Sequence, residues 1–544
     1  MQIRVPAVPR GAGWVAASGF LLGLAHPPLH LLLPSFLGLV PFGIWLGRLP
    51  EGEEGRREAF RGGFWLGVVY YTLLLHWLAT SLVHYSLMAL PGFVLTVVPL
   101  CLFLAVATVG VYHVRRRLGW PLWIALPVFW TAAEWLRAHL GPISFPWNEF
   151  GYTLTGFPQL IGVADIVGAR GLSFWLVMLN GLLATGILAW WAGRRRDVWL
   201  AFGGWVLALA LPVAYSLHRW TSLGPEVAAT VTIVQPNIPE DLKLDRHAAI
   251  DSTRRVVESL LAGHDPGRPI DLLVLPETVI PLPIDPIPAT GYRGLRRVRT
   301  WLANLAYDRR APVLFGTIGI DKLPGGEWDY FNSALLVDAT GERIGRYDKH
   351  HLVPVVERVP FLNPDWFTWA PYFDFGGFGV GVGTAPMEVD GVSFGVLICY
   401  ESIFAGLSRE FRRGGADYLV NITNDAWFGR EEPSWSRSSA LWQHPSHLVL
   451  RAIENRIGIA RAANTGISEI VDPLGRVHEA TELFTSAIFT ADVLTTRGLT
   501  PFARAGDVVG WLAALAAAVG AVLPAILGGA ARAAGPPPEG NRAP

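Results

Sequence analysis

Charge and cysteine are what this sequence has least of. Asp, Glu, Lys and Arg together make up 16% of its 544 residues, against roughly 25% in an ordinary soluble domain. So little charge leaves too few polar groups to cover a water-soluble particle of this size. Acidic and basic residues number 44 each, and the formal net charge is zero. The basic footprint of a nucleic-acid binder is therefore missing, and no nucleic-acid partner is expected. Only two cysteines occur, Cys101 and Cys399. Two such distant thiols supply neither a disulfide framework nor the paired spacing of a zinc site. His444 and His447 are three apart on a predicted helix but have no evident third ligand, so no metal is expected. The glycine-rich stretch 376–383 does not follow a strand and open a helix, which excludes a dinucleotide site. No cofactor of any kind is expected, and no internal repeat is visible.

What the chain has in excess is apolar. Hydrophobic residues account for 51%, and 23 are Trp, many near the ends of apolar runs, where indoles anchor at a lipid interface. A bilayer crossing needs ~20 apolar residues in helix. Eight runs qualify as candidates: 13–25, 31–46, 64–82, 93–114, 121–139, 172–191, 199–217 and 508–527. The first two are short and are separated by Pro27 and Pro28, so they make either two spans or one re-entrant pair. The N-terminal run offers no convincing cleavage site and reads as retained. Arginines cluster in alternate loops: Arg4 and Arg10; Arg48, Arg56, Arg57 and Arg61; Arg115, Arg116 and Arg117; Arg194, Arg195 and Arg196. Positive residues stay on the cytoplasmic side. This places both termini in the cytoplasm and the segment between the last two runs outside it. The expected organisation is a membrane domain of seven candidate spans over 1–222, an extracytoplasmic domain over 223–500, a C-terminal span over 501–530 and a disordered Pro/Gly/Ala tail over 531–544. Cys101, inside an apolar run, reads as a small buried hydrophobe. Glu134 and Arg137, three apart at the outer end of the fifth run, read as an interfacial ion pair, with a phosphate contact from Arg137 as the alternative.

The outer segment alternates short β-rich runs with amphipathic ones. Strands are expected at 229–235, 272–275, 313–318, 333–337, 393–398, 418–422, 458–462 and 488–492, with helices at 247–262, 293–308, 404–413 and 436–456. A hairpin over 334–348 turns at Asp338-Ala-Thr-Gly341. Buried strands alternating with helices predict a layered α/β domain.

Three strand ends in that domain carry reactive side chains, where α/β sheets build sites. Glu277 follows Leu-Leu-Val-Leu-Pro (272–276). It is either an exposed turn carboxylate or a general base whose proton affinity an apolar pocket raises. Lys349 ends the second hairpin strand, with Glu357 beyond. It is either a solvated strand-end lysine or a fixed cation for an oxyanion and a neighbouring thiol. Cys399 ends Gly-Val-Leu-Ile (395–398) before a predicted helix. It is either a buried structural thiol or a nucleophile activated at a strand-to-helix elbow.

Glu277, Lys349 and Cys399, in that chain order, resemble the triad of the nitrilase (carbon–nitrogen hydrolase) superfamily. The segments Asn421-Ile-Thr-Asn-Asp-Ala-Trp-Phe-Gly429, Arg451-Ala-Ile-Glu-Asn-Arg456 and Arg461-Ala-Ala-Asn-Thr-Gly466 are also similar to it. The resemblance implies an α-β-β-α sandwich. Combined with the apolar runs and with Glu134-Trp-Leu-Arg137, Phe145-Pro-Trp147, Val234-Gln-Pro-Asn-Ile238 and Leu499-Thr-Pro-Phe-Ala-Arg504, it narrows to the apolipoprotein N-acyltransferase family. Leu244, where that family often has Trp, and Val356, where a Gly usually precedes the Glu, depart from its pattern. The resemblance implies an acyl group moved from a phospholipid donor through a Cys399 thioester to the α-amino group of a diacylglyceryl apolipoprotein acceptor, at the outer face of a bacterial inner membrane. It implies Glu277 as base, Lys349 with the Tyr400 N–H at the oxyanion, and Glu357 orienting either Lys349 or Glu277. Tyr400 and Glu401 would shape the entrance, and Asn424 and Trp427 would contact substrate. The competing readings are a membrane-tethered amidase using the same triad and a transporter with a degenerate outer domain.

Overall fold

The computed structural model describes residues 5–84, 87, 89–243, 245–285, 294–323, 326, 328–363, 366 and 377–533. Leu244, Arg293, Gly376 and the tail 534–544 lie outside the described residues. Among the described residues, nine α-helices precede the first strand: α1 (Ala12–Ala25), α2 (Leu32–Leu37), α3 (Val40–Gly47), α4 (Glu53–Leu75), α5 (Trp77–Thr80), α6 (Ala89–Arg117), α7 (Leu122–Arg137), α8 (Ala164–Trp191) and α9 (Arg195–Ser222). Every apolar run expected from the sequence forms helix, but length separates them. α6, α8 and α9 are individually long and apolar enough to cross a membrane, and α4 qualifies together with the bent segment Trp77–His84. α1 has 14 residues and α7 has 16, rising roughly 21–24 Å against ~30 Å of hydrocarbon. The second run is broken between α2 and α3. Asn180 of α8 meets the break: its Oδ1 accepts from Leu39 N at 2.9 Å and its Nδ2 donates to Ser35 O at 3.1 Å.

α4 packs along α6 at close range. A Cβ added at Gly67 would lie 2.8 Å from the Cα of Cys101, so only glycine allows this approach. Cys101 is fully buried there, as expected of a packing residue. Glu134 and Arg137 differ from expectation: both are buried rather than interfacial. The Glu134 carboxylate accepts from Trp130 Nε1 (2.9 Å) and Phe150 N (2.8 Å), while Arg137 donates to Trp147 O (3.3 Å). The chain beyond α7 folds back over its end and supplies Trp147 and Phe150.

The second part is a sandwich of two six-stranded sheets. The strands are β1 (Glu226–Gln235), β2 (Leu272–Val274), β3 (Val313–Lys322), β4 (Trp328–Val337), β5 (Arg343–Asp348), β6 (Met387–Val389), β7 (Val392–Ile398), β8 (Tyr418–Thr423), β9 (Ile459–Ala463), β10 (Glu469–Val471), β11 (Val477–His478) and β12 (Ala487–Thr495). One sheet runs β12-β1-β2-β3-β4-β5, the other β11-β10-β9-β8-β7-β6. Each has three parallel strands in the middle, β1-β2-β3 or β7-β8-β9, flanked on both sides by antiparallel ones. α10 (Glu240–Lys243) is one short turn; α11 (Arg246–Ala262) and α12 (Gly294–Arg309) cover the first sheet, and α13 (Ala405–Arg413) and α14 (Ala440–Asn455) the second. Alternation along the central strands builds both layers. Leu272 and Val274 face the other sheet, whereas Leu273 and Leu275 pack under α11 and α12, because successive side chains leave a strand on opposite faces. All eight expected strands and four expected helices are present. β6, β10 and β11 are additions: each has two or three residues, too few for a period to show. α15 (Pro501–Ala505) and α16 (Val508–Ala533) close the chain, so helix continues three residues past the expected start of the tail.

The two parts are joined by buried polar contacts. Asp165 of α8 binds Arg456 after α14 (3.0 Å) and Arg219 of α9 (3.2 Å). Glu454 Oε1 accepts from Ala169 N (2.8 Å), just past Gly168, where α8 is kinked at φ 68°.

Candidate active site

Glu277, Lys349 and Cys399 come from three strand ends that the topology brings together. Glu277 follows β2, Lys349 follows β5, and Cys399 follows β7. All three are buried, with relative exposures of 5%, 1% and 8%. Neither the solvated lysine nor the exposed turn carboxylate weighed from the sequence is what the fold contains. Lys349 Nζ lies 2.8 Å from Glu357 Oε1 and 3.5 Å from Glu277 Oε1. Asn332 of β4 bridges the two carboxylates, its Nδ2 donating at 2.8 Å to each. Val353 N donates to the other Glu357 oxygen (2.7 Å), and Asn424 N to the other Glu277 oxygen (2.8 Å). Glu277 thus sits among donors, not in the apolar pocket that the preceding leucines suggested. The reason is that its partners arrive from β4 and from the residues that follow β5 and β8.

Burial alone would drive the Lys349 ammonium down, but Glu357 and then Glu277 outweigh it and hold the pKa above the ordinary lysine value. Its carboxylate partners favour the charged ammonium. Cys399 shifts the opposite way from expectation. Burial, then the charge of Glu277, push its thiol above the usual range, and Lys349 offsets them only in part. These surroundings favour the thiol over the thiolate, so attack calls for a base to take the proton. Its backbone has φ 51°, a left-handed conformation uncommon for a residue with a β-carbon. The short 3₁₀ turn Cys399–Ile403 follows.

Glu401 holds this turn. It is fully buried and accepts from Ile398 N (2.7 Å), His350 N (2.7 Å), His351 N (3.2 Å) and Tyr347 Oη (2.9 Å). It therefore ties the Cys399 turn to the Lys349 segment from within and does not line an entrance. Burial pushes its carboxyl up to about 7, against the pull of these donors. Tyr400 is also buried and reaches the helical part, with its hydroxyl donating to Ser144 O at 3.0 Å. The side chain of Asn424 is engaged within the protein, donating to Glu240 Oε2 (2.6 Å) and accepting from Asn464 Nδ2 (2.9 Å). What it contributes directly to the cluster is its backbone N–H on Glu277. Trp427 is half-buried on the turn Asp425–Phe428 after β8.

Two groups went unread in the sequence. Asn332 carries no motif; only the β4–β5 register, with Ser333 opposite Asp348, brings it beside Lys349. Asp425, His444 and Arg461 form a fully buried set behind Cys399. The segments containing Asp425 and Arg461 carried the family resemblance, but their contact with His444 depends on how α14 packs.

Comparison with known proteins gives matches over most of the chain. Residues 18–182 match the apolipoprotein N-acyltransferase N-terminal domain, and residues 230–497 match the carbon-nitrogen hydrolase domain. Apolipoprotein N-acyltransferase of Geobacter metallireducens is 34% identical over 540 residues, covering 96% of this chain and 97% of its own. That of Chlorobaculum tepidum is 30% identical over 518 residues, covering 90% and 92%. Among solved structures, an amidase from Nesterenkonia aligns with 51% of this chain and 93% of its own, at 19% identity and a TM-score of 0.34. With its two matched domains in order and such identity sustained from end to end, the chain belongs to the apolipoprotein N-acyltransferase family.

Proposed function

We propose that this protein transfers a fatty acyl group from a phospholipid, through a thioester on Cys399, to the α-amino group of a diacylglyceryl cysteine at a lipoprotein N-terminus. The observation that carries the reading is the buried cluster itself: a thiol, a carboxylate and an ammonium at three strand ends, with Lys349 Nζ 3.5 Å from Glu277 Oε1. Glu277 accepts the thiol proton as Cys399 Sγ attacks the ester carbonyl carbon. The ammonium of Lys349 and the N–H of Tyr400 receive the developing oxyanion. When the tetrahedral adduct collapses, the ester C–O bond breaks and the leaving alkoxide takes the proton from Glu277, releasing lysophospholipid. In the second half, the acceptor amine attacks the thioester and gives its proton to Glu277. The C–S bond breaks, the amide forms, and Cys399 recovers its proton. One difficult exchange becomes two easier ones. Glu357 keeps Lys349 aimed and charged throughout.

Lipid substrates are supported by the apolar surroundings. Val355, Phe361, Leu362, Val380 and Val382 are exposed on segments next to Glu357 and Lys349. On this reading residues 1–222 and 501–530 form a multi-pass domain in the bacterial inner membrane, and 223–500 lie on its outer side. Such an arrangement lets both lipid substrates reach one thiol without leaving the bilayer surface.

The test uses the purified full chain in detergent with phospholipid labelled in its acyl chains. Mass spectrometry should find a fatty acyl thioester on the Cys399 peptide, which a diacylglyceryl lipopeptide then discharges with formation of labelled amide. Cys399→Ala should show neither. Full transfer by the alanine variant, or release of ammonia from small amides without any acyl thioester, would overturn the proposal.

A further inference from the structure

We infer that His444 is a positioning residue for the oxyanion site, acting through the backbone of Cys399; this rests on the thioester reading above. His444 is the fifth residue of α14 and is fully buried. Its Nε2 is 3.1 Å from the carbonyl oxygen of Cys399, and its Nδ1 is 2.9 Å from Asp425 Oδ1. A backbone carbonyl only accepts, so this bond needs a proton on Nε2, which the imidazolium and the Nε2–H tautomer both supply. The ring has little freedom to do otherwise. Asp425 is fixed by Thr423 Oγ1 (2.9 Å) and Arg461 Nη2 (2.6 Å), and the same Arg461 nitrogen is 3.3 Å from Nδ1. Trp147 stacks on the imidazole at 5.7 Å, and Phe428 meets it edge-on at 5.5 Å.

The consequence follows from peptide geometry. The carbonyl of Cys399 and the N–H of Tyr400 belong to one planar trans unit and point in opposite directions. Drawing the oxygen towards α14 aims the Tyr400 N–H away from it. The same bond polarises the peptide and strengthens that N–H as a donor. It also helps hold Cys399 at its φ of 51°, a conformation that persists only where the surroundings impose it. Through Trp147, the segment after α7 braces the ring from the helical side. His444 touches no reacting atom; it sets the direction of one that does.

Two reactions of the same sulfur separate this role from simple packing. Acylation of Cys399 by phospholipid passes through an oxyanion, whereas alkylation by iodoacetamide forms none. In His444→Phe the acylation rate should fall on the order of 10²-fold, the usual loss for a misplaced oxyanion donor, while alkylation stays near the wild-type rate. His444→Gln, whose amide nitrogen reaches the place of Nε2, should recover most of the acylation. His444→Asn keeps a polar group against Asp425 but falls short of the Cys399 carbonyl. It should behave like Phe, and it decides the matter if the Phe variant does not fold. Acylation and alkylation falling together, acylation unchanged in Phe and Asn, or no recovery in Gln would each overturn the inference. Absence of any thioester on the wild-type protein would instead overturn the parent reading, and this one with it.

Discussion

Buried polar side chains do different work in the two parts of the molecule. In the helical part they serve mainly the backbone. Asn180 bonds the open N–H and C=O at the α2–α3 break, and Glu134 takes the N–H of Phe150. Such groups repair places where a helix stops away from water, and each is worth what an unsatisfied amide would cost. In the sandwich the buried polar groups bond chiefly to one another: Glu277, Lys349, Glu357 and Asn332 in one set, Asp425, His444 and Arg461 in another. Concentrating charge in this way is poor value for stability, since desolvation offsets much of the attraction. It is what a reaction that moves protons and develops negative charge requires. The contrast teaches where each kind of substitution should register, in turnover or in folding.

The largest effect should come from Lys349→Met. It removes the fixed cation while keeping an apolar side chain of similar length, and turnover should fall on the order of 10²–10³-fold with little change in phospholipid binding. Single-turnover acylation beside a lipid-binding titration checks this. Wild-type turnover would erase the distinction between the two parts. Next is Asn180→Leu, which leaves the α2–α3 break without its partners. It should cost about 1–3 kcal/mol of stability, read as a lower unfolding temperature in detergent, while turnover per folded molecule stays unchanged. A loss of turnover without destabilisation would show that the helical part enters the chemistry.

The smallest effect concerns Glu401, which connects the two roles by holding the backbone on both sides of the site. Its folded pKa is about 7, above the ordinary 4.5. As pH falls through 7 the folded protein protonates Glu401, the four donors lose part of their acceptor, and acylation should slow. The linkage to stability has the opposite sign. A raised folded pKa means that the stabilisation from this group is fully present below about 4.5 and is lost as pH rises through 7. Acidification from pH 8 to 5.5 should therefore slow acylation while narrowing any stability advantage of Glu401→Gln over wild type. The Gln variant should lack the acid limb near 7. An identical limb in both proteins would remove Glu401 from the account.

Much of this molecule could be read before it was folded. Val231, Ile233, Leu272 and Val274 alternate with outward-facing residues, and that period of two built the sandwich. The triad candidates stood out because each follows a short apolar strand. Helices of bilayer length were less legible, since an apolar run reports hydrophobicity and not helix length. The run 31–46 is broken in the middle, and 121–139 yields a helix of 16 residues. Strands as short as Val477–His478 leave no period to read.

The amino-acid sequence by itself determined which segments become strands, which are too apolar for water, and that a carboxylate, an amine and a thiol recur at strand ends in that order. Tertiary structure decided what those groups are chemically. Lys349 is held towards its charged form and Cys399 towards the thiol because proton affinity sums burial and charge over everything nearby. What lies near them was brought from β4, the β8 turn and α14, far away along the chain. Only packing could place Asn332 between two carboxylates and His444 behind the carbonyl of Cys399.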